Sequence, residues 1–264
     1  MSKSVICLDL DGTLLDKNEL IHPNDINFLS SRRYSNYIIS TGRALPGIKG
    51  VFNLNGLFIG EKIPFPIVSQ NGAVLYGPGE KLLEFNSFEA EIQDNLIKHI
   101  GIFPEIPFFL FGENEVFLKN PNQLGLHYAS IWFYALANTK DERFPALSKV
   151  MGLSRNTDLL KEVANSIQHL KIETSFSLEF LLELTPSGIN KGWGLKRLLS
   201  IQNWGNGIVI YAGDGGNDIP GFEISQLSFA PLTASDFVKA KADHVIDTEG
   251  TGLLSQIHQE AGII

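Results

Sequence analysis

The segment Val5-Ile6-Cys7-Leu8-Asp9-Leu10-Asp11-Gly12-Thr13-Leu14 says more about the fold than any other stretch of the chain. Its first half is a continuous apolar run, the pattern of a parallel strand covered on both faces. Such a strand has no use for charge in its interior, so Asp9 and Asp11 belong at its carboxyl end. In an open α/β sheet, ligands bind at that edge. Two carboxylates this close repel unless a cation or a proton separates them, which implies a bound metal and one raised pKa. Taken alone, the same string also reads as a strand followed by an Asx turn closed by Gly12.

The rest of the chain extends the α/β pattern. Strands are predicted over Val5–Leu10, Tyr37–Ser40, Pro66–Ser69, Ile208–Ala212, Leu227–Ala230 and His244–Asp247. Helices are predicted over Pro23–Arg33, Asn190–Ser200, Asp218–Ser225 and Ser235–Ala242. Alternation of this kind builds a Rossmann-like, doubly wound parallel sheet with helices on both faces. It occupies residues 1–81 and 186–264. The intervening residues 82–185 break the alternation and read as an inserted α+β domain, with helix-like stretches at Phe88–His99 and Thr157–Gln168. Strand-like stretches within it are Phe108–Phe111, Glu115–Leu118 and Glu179–Leu184. Six aromatics of the insertion (Phe108, Phe109, Phe111, Trp132, Phe133 and Tyr134) are expected to pack its core; a homodimer surface and a substrate wall are the other uses open to them.

Composition narrows the function classes. An apolar content of 44% with 19% charged residues describes a folded chain able to bury a proper core. A formal net charge of −8 argues against broad contact with nucleic acid or with an anionic membrane. The single cysteine, Cys7, sits inside the first strand, reads as a small core residue, and fits a reducing compartment. The amino terminus lacks a signal-peptide pattern, and the apolar stretch Ala129–Ala137 is too short to span a bilayer. A cytoplasmic protein is expected. The six histidines show no metal-ligand spacing.

Four clusters lie at or just beyond predicted elements: Asp9, Asp11 and Thr13; Ser40-Thr41-Gly42-Arg43; Asn190-Lys191-Gly192; and Gly213-Asp214-Gly215-Gly216-Asn217-Asp218. Parallel strands deliver their carboxyl ends to one edge, so the first, second and fourth can converge. Singly, each has a plain reading: a strand-to-helix turn at Thr41–Arg43, a solvated first-turn lysine at Lys191, a glycine-rich capped turn at Asp214–Asp218. None of these explains why all four occur together in one order.

In that order the motifs resemble the haloacid dehalogenase superfamily of aspartate-nucleophile phosphatases, and the large insertion resembles its type IIB, Cof-like members. The resemblance implies a Mg²⁺-dependent phosphatase of small phosphorylated metabolites, sugar phosphates first among them, with the insertion as a cap that selects the substrate. It implies Asp9 as the nucleophile that forms an aspartyl-phosphate. Asp11 would be the general acid and then the general base, its pKa raised by an ionised Asp9. Lys191 would offset the charge on Asp9 and on the transferring phosphoryl group. The metal would be held by the Asp9 carboxylate, the Asp11 main-chain carbonyl and Asp214, with Asp218 in support. Thr41 and the Gly42 amide would bind phosphate oxygens, and Asn217 would orient Lys191 or Asp9. Asn71, in Ser69-Gln70-Asn71-Gly72-Ala73, matches an Asn-Gly-Ala that borders the substrate pocket of type IIB relatives, although Asn-Gly is also a common turn. Arg43 would meet substrate, the insertion or a neighbouring carboxylate. Thr13 would fix its loop.

The match departs from the family at Gly216, where relatives commonly carry Glu, at Pro220-Gly221-Phe222, and at Ala230-Pro231-Leu232-Thr233. Every residue expected to act in catalysis is present. A phosphomutase that returns the phosphoryl group to sugar, and a non-catalytic phosphometabolite-binding protein, are the alternative functions. Asp214 and Asp218 supply a metal site that halide displacement does not need.

Overall fold

The computed structural model describes residues 4–31, 36–113, 115–138, 143–205 and 207–262. Two sheets account for its strands. The larger contains β1 (Val5–Leu8), β2 (Tyr37–Ser40), β3 (Ile67–Ser69), β4 (Val74–Gly77) and β5 (Lys81–Phe85). The smaller contains β6 (Phe108–Phe111), β7 (Val116–Lys119), β8 (Lys149–Leu153), β9 (Ile172–Leu178) and β10 (Leu181–Pro186). The chain then returns to the larger sheet with β11 (Val209–Ala212), β12 (Leu227–Pro231) and β13 (His244–Ile246).

The order of the larger sheet is β13-β12-β11-β1-β2-β3-β4-β5. Pairing is parallel from β13 through β3 and antiparallel across β3-β4 and β4-β5. Chain progression runs outward in one direction from β1 and in the other from β11. The topological switch therefore falls between those two neighbours, where the carboxyl ends of strands open a crevice.

Helices cover both faces because the strands are apolar on both. One face packs Ile6, Leu8, Ile39, Ile67 and Ile210 against α1 (Pro23–Ser30), α2 (Leu45–Leu54) and α9 (Leu253–Glu260). The opposite face packs Cys7, Ile38, Val68 and Tyr211 against α6 (Lys191–Ile201), α7 (Ile219–Phe222) and α8 (Asp236–Lys239). Cys7 is fully buried there, as a core residue. The predicted helix Pro23–Arg33 is observed over Pro23–Ser30, and Arg33 lies outside the described residues. The hairpin β4-β5, α2 and α9 carried no sequence signal that we read.

The five-stranded sheet has the order β7-β6-β8-β10-β9 and is antiparallel throughout. On one face α3 (Ala90–Ile100) and α5 (Thr157–Ser166) pack against Phe108, Leu110, Val150, Leu182 and Leu184. The other face carries Phe109, Phe111, Met151 and Leu181, covered by α4 (Gln123–Ile131) and by Ala44 of the larger unit. This second cover explains why Leu178–Leu184 shows no alternation: both faces of β10 are dry, so both must be apolar. The predicted α/β core and inserted α+β unit are thus both present. Because β5 pairs in the larger sheet, we propose that the crossing into the insertion follows Phe85, a few residues after the expected boundary at 81/82, and that the return falls near Pro186. Among the described residues no helix is long and apolar enough to cross a membrane.

Candidate active site

The carboxyl ends of β1, β2 and β11 deliver three of the four sequence clusters to one edge, and α6 delivers the fourth. The Asn190 side chain caps α6 by accepting from the Trp193 amide at 2.9 Å, which sets Lys191 at the first helical position. Gly192 and Gly194 let α6 lie against Pro220 and Gly72, where an added Cβ would stand within 2.2 and 2.6 Å of their atoms. Packed in this way, Lys191 points into the sheet edge rather than to solvent. Its ammonium donates to Asp9 Oδ1 and to Asp218 Oδ1, both at 2.7 Å.

Asp218 is wholly buried and held on every side. Its Oδ1 also accepts from the Tyr211 hydroxyl at 2.9 Å, its Oδ2 from the Gly215 amide at 3.0 Å, and Tyr211 in turn meets the Ser40 hydroxyl at 2.9 Å. Asp9, Asp214 and Asp218 each offer a carboxylate oxygen, and the three oxygens lie within 4.8 Å of one another. Such crowding penalises the charged forms. Burial, and then the charge of Asp218, push Asp9 well above the usual carboxylate range against the pull of Lys191. The same two causes push Asp214 up to about 7. Three hard oxygen donors with more negative charge than one ammonium can offset fit a small divalent cation such as Mg²⁺. Gly12 makes the approach possible. Its φ is +75°, and a Cβ there would fall 2.2 Å from Asp214 Oδ2.

Asp11 stands at the rim, with its side chain 48% exposed. Its partner is Arg43, whose Nε lies 3.0 Å from Oδ2 and 3.1 Å from Oδ1. The Arg43 Nη2 bonds both Asp11 and Glu19, the latter at 2.6 Å. Of the three uses foreseen for Arg43, contact with neighbouring carboxylates is the one observed. Thr41 is buried behind Gly42, its hydroxyl accepting from the Arg43 amide at 3.1 Å. Gly42 and Arg43 line the cleft. The Thr13 side chain is buried within its loop, with no hydrogen-bond partner for its hydroxyl among the described residues.

One expected contact is corrected. Asn217 was expected to orient Lys191 or Asp9, but its amide instead donates to Asn71 Oδ1 at 3.1 Å and to Glu183 at 3.4 Å. The reason is local: Gly216–Asp218 forms one tight 3₁₀ turn in which Asp218 takes Lys191, and Asn217 meets a different pair of partners. Asn71 is a turn residue with φ of 56°, the plain reading of Asn-Gly, and it is buried against Asn217.

The insertion supplies what sequence reasoning missed. Lys149 of β8 and Glu183 of β10 form a buried ion pair, and the Lys149 ammonium also donates to the Gly42 carbonyl at 2.7 Å. The pairing register sets Glu183 opposite Met151, and Lys149, Met151, Leu181 and Glu183 occupy alternate positions facing the larger unit. Burial raises the Glu183 pKa, and the Lys149 charge more than reverses this, so the net shift is downward. A single charge inside an apolar strand, as in Lys149–Leu153 and Leu181–Leu184, was the available signal, since unpaired charge is rarely buried.

A second contact is made by the turn after α4. An added Cβ on Gly47 would stand 3.0 Å from the Trp132 carbonyl, and one on Gly50 would stand 2.3 Å from the Phe133 ring. The Tyr134 hydroxyl accepts from the Ala44 amide at 3.3 Å. Trp132 and Tyr134 then face a cleft of about 140 Å³ whose opposite wall holds Asp9, Asp11, Lys191 and Asp214. Phe108, Phe109 and Phe111 are core residues. Phe133, seated on Gly50, stays exposed. At Gly216, β9 lies alongside, its Phe176 carbonyl 3.4 Å from where a Cβ would be, an ordinary contact.

The family model for haloacid dehalogenase-like hydrolases matches residues 6–254. Among curated proteins the chain is 26% identical over 276 positions to the pyridoxal phosphate phosphatase YbhA of Escherichia coli, with 97% of each chain covered. It is 24% identical over 273 positions to the 5-amino-6-(5-phospho-D-ribitylamino)uracil phosphatase YwtE of Bacillus subtilis, with 91% of each covered. Among solved structures a haloacid dehalogenase-like hydrolase from B. subtilis superposes with a TM-score of 0.79 at 20% identity, covering 99% of this chain and all of the other. The subclass IIB sugar phosphatase BT4131 superposes with a TM-score of 0.78 at 21% identity, again over 99% and 100%. Motifs, sheet order and inserted unit lead to one assignment: the chain belongs to the haloacid dehalogenase-like hydrolases, in their type IIB arrangement.

Proposed function

We propose that the chain is a Mg²⁺-dependent phosphatase that hydrolyses small phosphate monoesters through an aspartyl-phosphate on Asp9. The observation that carries this reading is the convergence of Asp9, Lys191 and Asp214 at the floor of one cleft, with Asp11 at its rim. The phosphatase names of the relatives in E. coli and B. subtilis support it.

Asp9, Asp214 and the Asp11 main chain would hold the cation, whose chemistry is to neutralise phosphate oxygens that otherwise repel an attacking carboxylate. A free Asp9 oxygen attacks phosphorus while Lys191 holds the other, so the nucleophile is aimed before substrate arrives. Asp11 leaves the Arg43 fork to protonate the departing alcohol. It then takes a proton from the water that opens the acyl-phosphate, and inorganic phosphate leaves. Asp218, Tyr211 and Ser40 keep Lys191 in place from behind. Gly42 and the Arg43 edge border the phosphate end of the cleft. The inserted unit closes the cleft over the leaving group and excludes bulk water. The acidic net charge and lone buried cysteine support a cytoplasmic enzyme of small metabolites over a binder of nucleic acid or membrane.

The test is phosphate release from a panel of monoesters, with Mg²⁺ and with EDTA, using Asp9→Asn as control. Release that needs the metal and vanishes in the variant is expected. Residual Asp9→Asn turnover within tenfold of wild type refutes the nucleophile assignment. Isomer formation from a hexose 1-phosphate without release points to the mutase instead.

A further inference from the structure

We infer that the ester accepted by this cleft carries a flat, ring-bearing alcohol, an arylmethyl or heteroarylmethyl phosphate, in preference to a polyhydroxylated sugar phosphate. The inference rests on the phosphatase reading above and narrows its substrate class.

The argument starts from the wall that faces the catalytic carboxylates. It is built by Trp132, Tyr134, Met151, Leu178 and Leu181, all from the inserted unit. A leaving group bound against the phosphate end must lie on these five side chains. Their surface is apolar and aromatic, suited to offset or edge contacts with a ring and to the soft thioether of Met151. It is also held in place. Trp132 lies 5.9 Å and Tyr134 6.1 Å, centroid to centroid, from the buried Phe109 ring. The turn that carries them is seated on Gly47 and Gly50 of α2.

The inserted unit offers this end few polar groups, and those have partners. Glu183 is paired with Lys149. The Tyr134 hydroxyl receives the Ala44 amide. A hexose laid on the apolar wall would bring several hydroxyls against side chains that cannot answer them, and each one stranded costs on the order of tenfold in kcat/KM. Of the cations that line the cleft, Lys191 is met by Asp9 and Asp218, and Arg43 meets Asp11 and Glu19 through Nε and Nη2, its buried Nη1 having no partner among the described residues. A flat, ring-bearing leaving group is the one this wall fits.

Benzyl phosphate and glucose 6-phosphate are both esters of primary alcohols, so their comparison reports binding of the leaving group more than its chemistry. Acetyl phosphate, too small to meet the wall, reports the phosphoryl chemistry by itself. We expect all three to release phosphate with Mg²⁺, with kcat/KM for benzyl phosphate at least about tenfold above that for glucose 6-phosphate. Trp132→Ala and, on a partly exposed edge strand where folding is at little risk, Leu178→Asn are each expected to narrow that ratio about threefold or more through KM for the benzyl ester. A merely structural role would lower both esters alike. Equal or better turnover of glucose 6-phosphate, or an unchanged ratio in both variants, overturns the substrate class and leaves the phosphatase standing. Absence of release from acetyl phosphate as well overturns both.

Discussion

Lys149→Met removes one member of the buried pair that ties the inserted unit to the Gly42 loop. Both side chains are nearly inaccessible, at 1% and 3% exposure, so the Glu183 carboxylate left behind has no bulk water to charge against. Breaking such a pair costs about 3–5 kcal/mol, because an uncompensated charge stays buried. Two features move the expected value toward the lower end. Glu183 keeps the Asn217 amide at 3.4 Å and the neighbouring Ser177 hydroxyl, both able to donate to it. The Gly42 carbonyl also loses its donor at 2.7 Å, which adds back part of the difference. We expect about 3 kcal/mol at pH 7.5, read from urea unfolding, or roughly a hundredfold in the folded-to-unfolded ratio. In wild type the depressed Glu183 pKa contributes stability that is present above its unfolded value of 4.5 and lost only as pH falls through the lower folded value. In the variant, burial without Lys149 drives the same carboxyl upward, so acidification protonates it and relieves the penalty. The stability gap between wild type and variant must therefore shrink between pH 7.5 and pH 5. Lys149→Met with Glu183→Leu removes both charges and is expected to recover most of the loss. A single variant that costs less than about 1 kcal/mol, or a gap that ignores pH, would falsify the claim that this pair is buried and coupled.

Other perturbations test separate parts of the site. Gly12→Ala combines a φ of +75° with a Cβ 2.2 Å from Asp214 Oδ2, so the carboxylate must move. We expect the Mg²⁺ concentration for half-maximal activity to rise about tenfold or more, and an unchanged value argues against Asp214 as a metal ligand. Tyr211→Phe deletes the hydroxyl shared by Asp218 and Ser40, and is expected to cost about 1–2 kcal/mol in unfolding free energy together with a lower kcat. Loss of neither quantity means that Lys191 does not depend on this chain of contacts. Gly50→Ala sets a gain of about 1 kcal/mol in helix propensity against about 1–3 kcal/mol of overpacking on Phe133. Stability should fall slightly, and KM for benzyl phosphate should rise as the Trp132–Tyr134 turn lifts. A raised stability with unaltered KM shows the contact to be loose.

Much of this architecture could be read from local pattern. The apolar run before Asp9, its repetition before Thr41 and Asp214, and the intervening helices are local signals of a parallel sheet. Strand ends in such a sheet share one edge by topology alone, so bringing Asp9, Asp11 and Asp214 together needed no knowledge of packing. The cap on α6 made Lys191 a first-turn residue. Where it pointed was decided by glycines that let the helix sit close on its neighbours.

Tertiary structure decided the rest, because the contacts involved join residues far apart in the chain. Lys149 and Glu183 become partners only through the β8-β10 register, and they reach Gly42 across a sequence separation of more than a hundred residues. Asn217 turned to Asn71 and Glu183, not to Lys191, because its place in a tight turn gave the adjacent Asp218 that contact. Arg43 offered three uses to a reader of the sequence, and two carboxylates from the first loop claimed it. The chemistry of the floor follows from residue types at the ends of strands. The character of the wall follows from how a turn after α4 seats on two glycines of α2, a fit of shapes that composition and periodicity do not encode.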